Sequence, residues 1–451
     1  MTLYCRPEGC MYREILKDLK EWKDRIGRKP LLLTGVRQCG KTYILEKFAR
    51  ENFRSHVLIN FEEYEKISAI FDFDFDVRRI ISELELYSKT KIVPGETCVI
   101  LDEIQECPRA ITSLKYFCEN MRELHLVCAG SLLGVAIKKQ QISFPVGKVN
   151  RLELHPMDFR EFLSAKGRED LIKVFEDWPV DREIPELYSV QMKKLLKEFF
   201  VVGGMPEAVK TWVETGSIEE VERIQTEILR DYADDFSKHA PESEVIKMRW
   251  IWDSIPVQLA RENRKFMFSH VREGKRAADL EDALQWLVDA GLVSKLYMVE
   301  NPESPLSGFA DKSYFKVYMC DVGLLRIKSK VDSETIFDET PSYMRFKGAF
   351  TENYVLNELI SSGKEPYFWH SGNTAEIDFM YERKGDLIPV EVKSAENTQA
   401  KSYKLFCQKY KPRVGFKLSL KNIAENSLEE TRTYSIPLYL SWTLDRYQGM
   451  D

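Results

Sequence analysis

The sequence predicts an α/β protein in three parts. These are an amino-terminal parallel sheet with helices on both faces, a helical middle ending in a helix and hairpin, and a carboxyl-terminal α/β region. Three observations predict it. The apolar run Leu31-Leu32-Leu33-Thr34 ends at Gly35, and Gly40-Lys41-Thr42 then opens a helix-like segment. A second apolar run, Cys98-Val99-Ile100-Leu101, ends in Asp102-Glu103. Near the end of the chain, Ala375 to Met380 and Leu387 to Lys393 alternate apolar and polar residues as two strands would.

The stretch Gly35-Val36-Arg37-Gln38-Cys39-Gly40-Lys41-Thr42 fits the phosphate-binding pattern G-x-x-x-x-G-K-[ST], placed between a strand and a helix as its mechanism requires. Its glycines let backbone N–H groups face phosphate oxygens, and the helix N-terminus adds partial positive charge. Lys41 would reach the β and γ phosphates, Thr42 would offer its hydroxyl to Mg²⁺, and Tyr43 closes the nucleotide-binding stretch. ATP and Mg²⁺ are the expected ligands. Before the loop, Tyr12 to Ile26 reads as an amphipathic helix with Ile15, Leu16, Leu19 and Trp22 on one stripe. After it come a helix bearing Ile44, Leu45 and Phe48, then a buried strand at Val57 to Asn60.

Asp102 and Glu103 are the expected second half of the site. At the carboxyl end of a parallel strand, Asp102 can hold the Mg²⁺ shell and Glu103 can polarise the attacking water. Two solvated acids would look the same in isolation, but these stand 60 residues after Thr42. Leu124 to Ser131 is a further buried strand, and Ser131 at its end is placed to sense the γ-phosphate; an ordinary Gly-Ser turn is the alternative. Arg151 to Pro156 reads as the last strand, with Asp158 capping the helix that follows. Strands alternating with helices, and a ligand loop at a strand's carboxyl end, argue for an open parallel sheet.

With 451 residues, the chain has room for about three domains. Its 44% hydrophobic and 31% charged residues are those of a folded chain rather than a disordered one. Acidic residues outnumber basic ones by 72 to 66, so no global positive field advertises nucleic acid. No window approaches the roughly 18 apolar residues of a membrane span, and Met1 to Pro7 lacks the layout of a signal peptide. Nine cysteines without a C-x-x-C argue against a zinc ribbon or a disulfide framework and for a reducing, cytoplasmic setting.

Gly35-Val36-Arg37-Gln38-x-Gly40-Lys41-Thr42, then Leu101-Asp102-Glu103-Ile104-Gln105, Gly130-Ser131 and Leu154-x-Pro156-Met157-x-Phe159-x-Glu161-Phe162 together carry a family resemblance. The chain resembles the prokaryotic AAA-superfamily predicted ATPases with a carboxyl-terminal DUF4143 domain, from about Tyr12 to its end. The resemblance implies ATP binding and hydrolysis, and a site that a neighbouring subunit's arginine often completes. The resembling ATPases often carry Gly-Arg before the last strand, where this chain has Gly147-Lys148. Lys148, Arg151 and Arg37 are the candidates for an arginine finger.

The expected boundaries are an ATPase domain over 1–165, a helical and winged-helix-like domain over 166–335 and a third domain over 336–451. In the middle, Trp178 to Asp181 reads as an interdomain loop, and Gly203-Gly204 stops a helix before Pro206 starts the next. Asp231, Asp234 and Asp235 read as a solvated acidic helix end. The helix Asp279 to Ala290, followed by Leu292 to Val299 and Tyr314 to Met319, has the order of a winged helix. Its exposed Glu281, Asp282 and Gln285 are poor partners for phosphate, which favours a protein-contact or lid role over duplex binding.

In the third part, Glu352 lies on the apolar stripe of the helix Phe346 to Leu359, where a carboxylate requires a partner or a function. Asp378 on one strand, with Glu391 and Lys393 on the next, adds what a metal-dependent phosphodiesterase needs. Carboxylates give Mg²⁺ hard oxygen ligands, and a lysine steadies the attacking water or the transition-state charge. Glu352, Asp378, Glu391 and Lys393 together resemble the PD-(D/E)xK nuclease core. A structural module with an Asp378–Lys393 salt bridge is the alternative. The sequence thus points to an Mg²⁺-dependent ATPase coupled to a nuclease-like domain acting on nucleic acid. The alternative is an ATP-gated regulatory or protein-binding module with a non-catalytic nuclease fold. DNA or a protein is the expected macromolecular partner, no membrane is involved, and oligomerisation is compatible with the family.

Overall fold

The computed structural model describes residues 11–63, 65–131, 134, 144–240, 242–261, 264–338, 341–372, 375–394 and 401–447, and the expectation for Met1 to Pro7 lies outside them. The chain divides into two compact units, Arg13–His155 with Trp286–Leu292, and Pro156–Gln285 with Val293–Asp451.

The first unit follows from the apolar pattern of its strands. Helix α1 (Ile15–Asp24) buries Ile15, Leu16, Leu19 and Trp22, the stripe read from the sequence. Strand β1 (Leu31–Thr34) leads through the loop to α2 (Lys41–Asn52), and β2 (Ser55–Asn60) follows. Helix α3 (Val77–Ser88), β3 (Thr97–Asp102), α4 (Pro108–Asn120), β4 (His125–Ala129) and β5 (Asn150–Glu153) complete the order. All pairings are parallel, in the order β2-β3-β4-β1-β5. Both β3 and β4 are buried along their whole length, as strands covered on both faces must be. On one face Val99, Leu101 and Leu126 pack with Ile80, Ile81 and Leu84 of α3 and Ile111, Leu114 and Phe117 of α4. Each such fully buried side chain contributes about 1.5–3 kcal/mol of transfer free energy.

His125 sets a pH limit on this unit. Its imidazole is buried edge-on between the rings of Trp22 and Phe53, with the Arg28 guanidinium 3.4 Å from Nδ1. Burial, and then the charge of Arg28, push its pKa down to about 4 from 6.5. The folded state therefore favours the neutral ring, and its contribution is complete above pH 6.5 and lost as pH falls towards 4. In chemical denaturation, His125→Asn should flatten the stability loss between those pH values, by up to about 3 kcal/mol.

The second unit opens with α5 (Phe159–Ala165), where Asp158 and Glu161 form a reciprocal capping box, as the Asp158 cap required. Helices α6 (Glu186–Val202), α7 (Pro206–Thr215), α8 (Ile218–His239), α9 (Glu242–Leu259) and α10 (Ala277–Asp289) follow, the last running into the segment that groups with the first unit. Strands β6 (Val293–Val299) and β7 (Ala310–Met319) form the expected antiparallel hairpin. Then come α11 (Val322–Lys328), α12 (Pro341–Ser361), β8 (Tyr367–His370), β9 (Glu376–Arg383), β10 (Asp386–Val392), α13 (Lys401–Tyr410), β11 (Val414–Ser419), β12 (Ala424–Leu428) and β13 (Thr431–Pro437).

Residues on both sides of the expected boundary at 335/336 belong to one compact unit. The hairpin does not stand free as a pair of wings: β6 pairs with β8, giving one eight-stranded mixed sheet in the order β12-β13-β11-β10-β9-β8-β6-β7. Residues assigned to a middle and a third domain thus share one sheet and one unit. The loop at Trp178 lies inside this unit too, where Arg446 donates to the carbonyl oxygens of Phe175 and Trp178, both at 2.6 Å. Asp235, expected in solvent, is buried. Gly203-Gly204 does more than stop a helix. The Gly204 N–H donates to buried Asp321 at 2.6 Å, and a Cβ on Gly204 would lie 2.0 Å from the Met157 carbonyl oxygen.

Candidate functional site

The first site is built on the ends of β1, β3 and β4. Gly35 leaves β1 at φ +145°, and a Cβ there would sit 2.1 Å from the Leu154 carbonyl oxygen. Gln38 (φ 63°) and Gly40 (φ 93°) take left-handed conformations that bend the loop into the N-terminus of α2. Cys39, buried at its centre, donates its thiol to the Leu154 carbonyl at 3.4 Å. Arg13 clamps the loop from behind, donating to the carbonyls of Cys39 and His155. Sequence reasoning missed Arg13, because its role depends on chain segments brought together only by the fold.

Lys41 is buried and its Nζ donates to the carbonyls of Gly35 (3.0 Å) and Val36 (2.9 Å), which hold the ammonium over the loop. Thr42 Oγ1 donates to Asp102 Oδ2 at 2.8 Å, so the two expected Mg²⁺ ligands meet across 60 residues of sequence. Asn60 Nδ2 reaches the same oxygen at 3.3 Å, and the Glu103 N–H donates to Asp102 Oδ1 at 3.1 Å. Asn60, at the end of the neighbouring parallel strand, is a site residue that sequence reading did not single out. Burial raises the pKa of Asp102, with the Thr42 hydrogen bond opposing it. A buried carboxylate whose hydrogen bonds come from uncharged donors, beside a threonine hydroxyl, is a donor set that fits Mg²⁺.

Glu103 is the residue most sharply placed by the backbone. Its φ of 49° puts it in the left-handed region, a conformation a non-glycine residue adopts at a cost of about 1–3 kcal/mol. Gln105 Nε2 donates to its Oε2 at 2.5 Å and Ser131 Oγ at 3.2 Å. Ser131 thus touches the carboxylate expected to orient water, a more specific placement than a Gly-Ser turn. Gln105 lies in the quoted motif Leu101 to Gln105, but its contact with Glu103 was not foreseen.

Of the arginine-finger candidates, Lys148 pairs with Glu119 at 2.8 Å and Arg37 lies 3.7 Å from Glu62. Arg151 lines a cavity of about 260 Å³ together with Thr34, Gly35, Ser131 and Glu153. Its guanidinium stacks over Phe144, 4.5 Å from the ring centroid. Tyr43, at the start of α2, is exposed.

The second site lies in the other unit. Glu352 on α12, Asp378 on β9 and Glu391 on β10 are all buried, and Lys393 follows β10. Both neighbours of Asp378, Ile377 and Phe379, are buried as well, so the middle of β9 is covered on both faces. Glu352 Oε2 accepts from the Tyr318 hydroxyl at 2.9 Å, and its Oε1 forms an ion pair with Arg264. Asp378 Oδ2 accepts from the Val392 N–H at 2.7 Å. Lys393 pairs with Glu391 at 2.5 Å, and it is this contact, rather than one with Asp378, that forms the salt bridge. Glu376 pairs with buried Lys316.

Burial, and then the Asp378 charge, raise the pKa of Glu391 to about 8 against the pull of Lys393. Burial works against the charge on Lys393, but Asp378 and Glu391 outweigh it and raise its pKa. The Lys393 shift expresses a local excess of negative charge, whereas the Glu391 shift is first an effect of burial. Among the described residues, no three His, Cys, Asp or Glu side chains group as they would around a metal ion. Arg264 and Lys316 were not anticipated from the sequence, since a lone cation in a loop or strand carries no spacing signal.

No helix among the described residues is long and apolar enough to cross a membrane. Three family models match the chain. Residues 27–163 match an AAA domain, residues 193–335 a domain of unknown function (DUF8612), and residues 347–440 another, DUF4143. The AAA match spans the loop, Asp102, Glu103 and Ser131, and the DUF4143 match spans Glu352, Asp378, Glu391 and Lys393. No curated protein matches the chain. Among solved structures, a Walker-type ATPase of Pyrococcus abyssi is 15% identical, with 72% of this chain and 98% of that chain covered and a TM-score of 0.45. The ORC2 protein of Aeropyrum pernix is 12% identical, with 72% and 92% covered and a TM-score of 0.36. AMPPCP-bound DnaA of Aquifex aeolicus is 12% identical, with 60% and 86% covered and a TM-score of 0.28.

Proposed function

We propose that the chain is an Mg²⁺-dependent ATPase of the cytoplasm, with its nucleotide on Gly35 to Tyr43. The observation that carries this reading is the meeting of Thr42 with Asp102 at 2.8 Å, beside a Glu103 carboxylate held by Ser131 and Gln105. Loop N–H groups and the Lys41 ammonium bind the phosphates, and Thr42 and Asp102 hold the metal. When bound, Mg²⁺ offsets the charge on the β- and γ-phosphate oxygens. Glu103 orients a water in line with the γ-phosphorus and accepts its proton. The new P–O bond forms as the bond to the β,γ-bridging oxygen breaks, giving ADP and phosphate. Phosphate release should depend on Mg²⁺ and fall to background in Lys41→Ala. Equal rates in wild type and variant, or rates indifferent to chelation, would overturn the reading.

For the second unit, the order α12-β8-β9-β10-α13-β11 around a mixed sheet supports a PD-(D/E)xK-like core acting on nucleic acid. A specific observation favours the non-catalytic alternative for the form described here: Arg264, Lys316 and Lys393 stand against the carboxylates. Incubating wild type and Glu391→Ala with single- and double-stranded DNA and RNA, with Mn²⁺ and ATP, separates the two. Cleavage lost in the variant establishes the catalytic reading, and no cleavage in either leaves an ATP-gated module that binds DNA or a protein.

A further inference from the structure

Between the end of α9 and the start of α10, residues 261–276 carry six basic side chains against two acidic ones, in a chain whose net charge is −6. The segment includes a single helical turn, Phe268–Val271. Its backbone is tied down on both sides: the Met267 N–H donates to Gln258 Oε1 at 2.7 Å, and the Phe266 N–H donates to the Phe315 carbonyl of β7 at 2.8 Å. Phe266 is buried, whereas Arg261, His270, Arg272 and Arg276 are exposed. The Arg261 guanidinium lies 2.7 Å from His270 Nδ1, which places it beside the helical turn. Arg272 stacks on Trp250 of α9, 4.2 Å from the ring centroid. The Lys275 N–H donates to the Arg272 carbonyl at 3.2 Å, so Arg272, Lys275 and Arg276 share one turn just ahead of α10. None of Arg261, Arg272, Lys275 and Arg276 meets a carboxylate among the described residues, and the exposed Glu273 of the same turn pairs with none of them. Another basic run, residues 401–417, is partly neutralised, with Lys411 on Glu430 at 2.5 Å and Arg413 3.7 Å from Asp386. Cations held close together without counter-charges repel one another, and a polyanion relieves that repulsion.

We propose that residues 261–276 form a phosphate-binding strip that holds a nucleic acid duplex by its backbone, with α10 lying outside the grooves. Asp279, Glu281 and Asp282 at the start of α10 are exposed, so that helix driven into a groove would set three carboxylates among the phosphates. Contact through the turn before the helix avoids this, because Arg272, Lys275 and Arg276 meet the backbone first. A single strand fits less well. Its binding relies on open aromatic platforms, whereas Trp250 is half-buried and one face of its ring is taken by Arg272. Contacts of this kind position a duplex and read no bases. The inference rests on the reading that the second unit acts on nucleic acid, and it names the element that grips the backbone. It requires neither cleavage nor ATP hydrolysis.

The test is binding of the full chain to a fluorescent DNA duplex of arbitrary sequence, and to one of its strands, with metal chelated and salt varied between about 50 and 200 mM. Wild type is compared with the triple variant Arg272→Gln, Lys275→Gln, Arg276→Gln. The control is Lys401→Gln with Lys404→Gln, which removes two exposed charges from the other basic run. The triple variant should bind the duplex at least about tenfold more weakly at the lower salt, with its logarithmic salt slope reduced by about 3. Each single substitution should reduce the slope by about 1, which keeps the test if the triple variant fails to fold. The control should match wild type, and wild type should hold the duplex at least as tightly as the single strand. Equal affinity and slope in wild type and triple variant, or an equal loss in the control, would overturn the strip while leaving the nucleic-acid reading in place. Tighter binding of the single strand would overturn the duplex assignment. No binding of wild type to either DNA at the lower salt would overturn the strip and the nucleic-acid reading together.

Discussion

Glu103→Gln should slow ATP hydrolysis by about 10²-fold or more while ATP affinity stays within a few-fold of wild type, the scale expected for loss of a positioned general base. The amide keeps the shape of the side chain and can still meet Ser131 Oγ and Gln105 Nε2, but it cannot accept a proton from water. A fall in turnover with binding intact marks a group that acts in the transition state. Phosphate release at saturating ATP, with a separate binding titration, distinguishes this from a folding defect. Equal turnover in the two proteins would mean that the left-handed Glu103 is conformational punctuation and not chemistry.

Gly35→Ala should lose both stability and nucleotide. The atom its Cβ would meet, 2.1 Å away, is the Leu154 carbonyl oxygen, which is backbone and cannot swing aside. The same oxygen accepts the Cys39 thiol, and the Leu154 N–H donates to the Thr34 carbonyl at 2.8 Å. Relieving the clash therefore means moving the loop away from β5, at a cost of about 3 kcal/mol when the positive φ is included. Thermal denaturation should show a lowered transition, and ATP should no longer raise it. A variant with wild-type stability and ATP-dependent stabilisation would show that the loop tolerates a displacement the geometry forbids.

The parts of this account that were legible in the sequence are those in which chemistry and chain order coincide. Gly35 to Thr42 is contiguous, and Asp102-Glu103 ends a strand whose burial its own residues announce. Asn60 and Arg13 were not legible, because the fold alone brings Asn60 to Asp102 and Arg13 to the loop. The pairing of β6 with β8, across the boundary expected at 335/336, was not legible for a related reason: the partner strand lies beyond α11 and α12. Likewise the alternation in Glu376-Ile377-Asp378-Phe379 sets two faces apart without showing that Asp378 is buried along with Ile377 and Phe379. The place of Glu352 on an apolar stripe shows that it needs a partner, but nothing local identifies Tyr318 and Arg264, which come from a strand and a loop earlier in the chain.

The most direct test of the central claim is a calorimetric titration of the Glu103→Gln chain with ATP, in the presence of Mg²⁺ and again with the metal chelated. One ATP should bind per chain, with affinity weakened by chelation and no binding once Lys41→Ala is added. ATP binding that survives Lys41→Ala unchanged, or no binding with Mg²⁺ present, would contradict it.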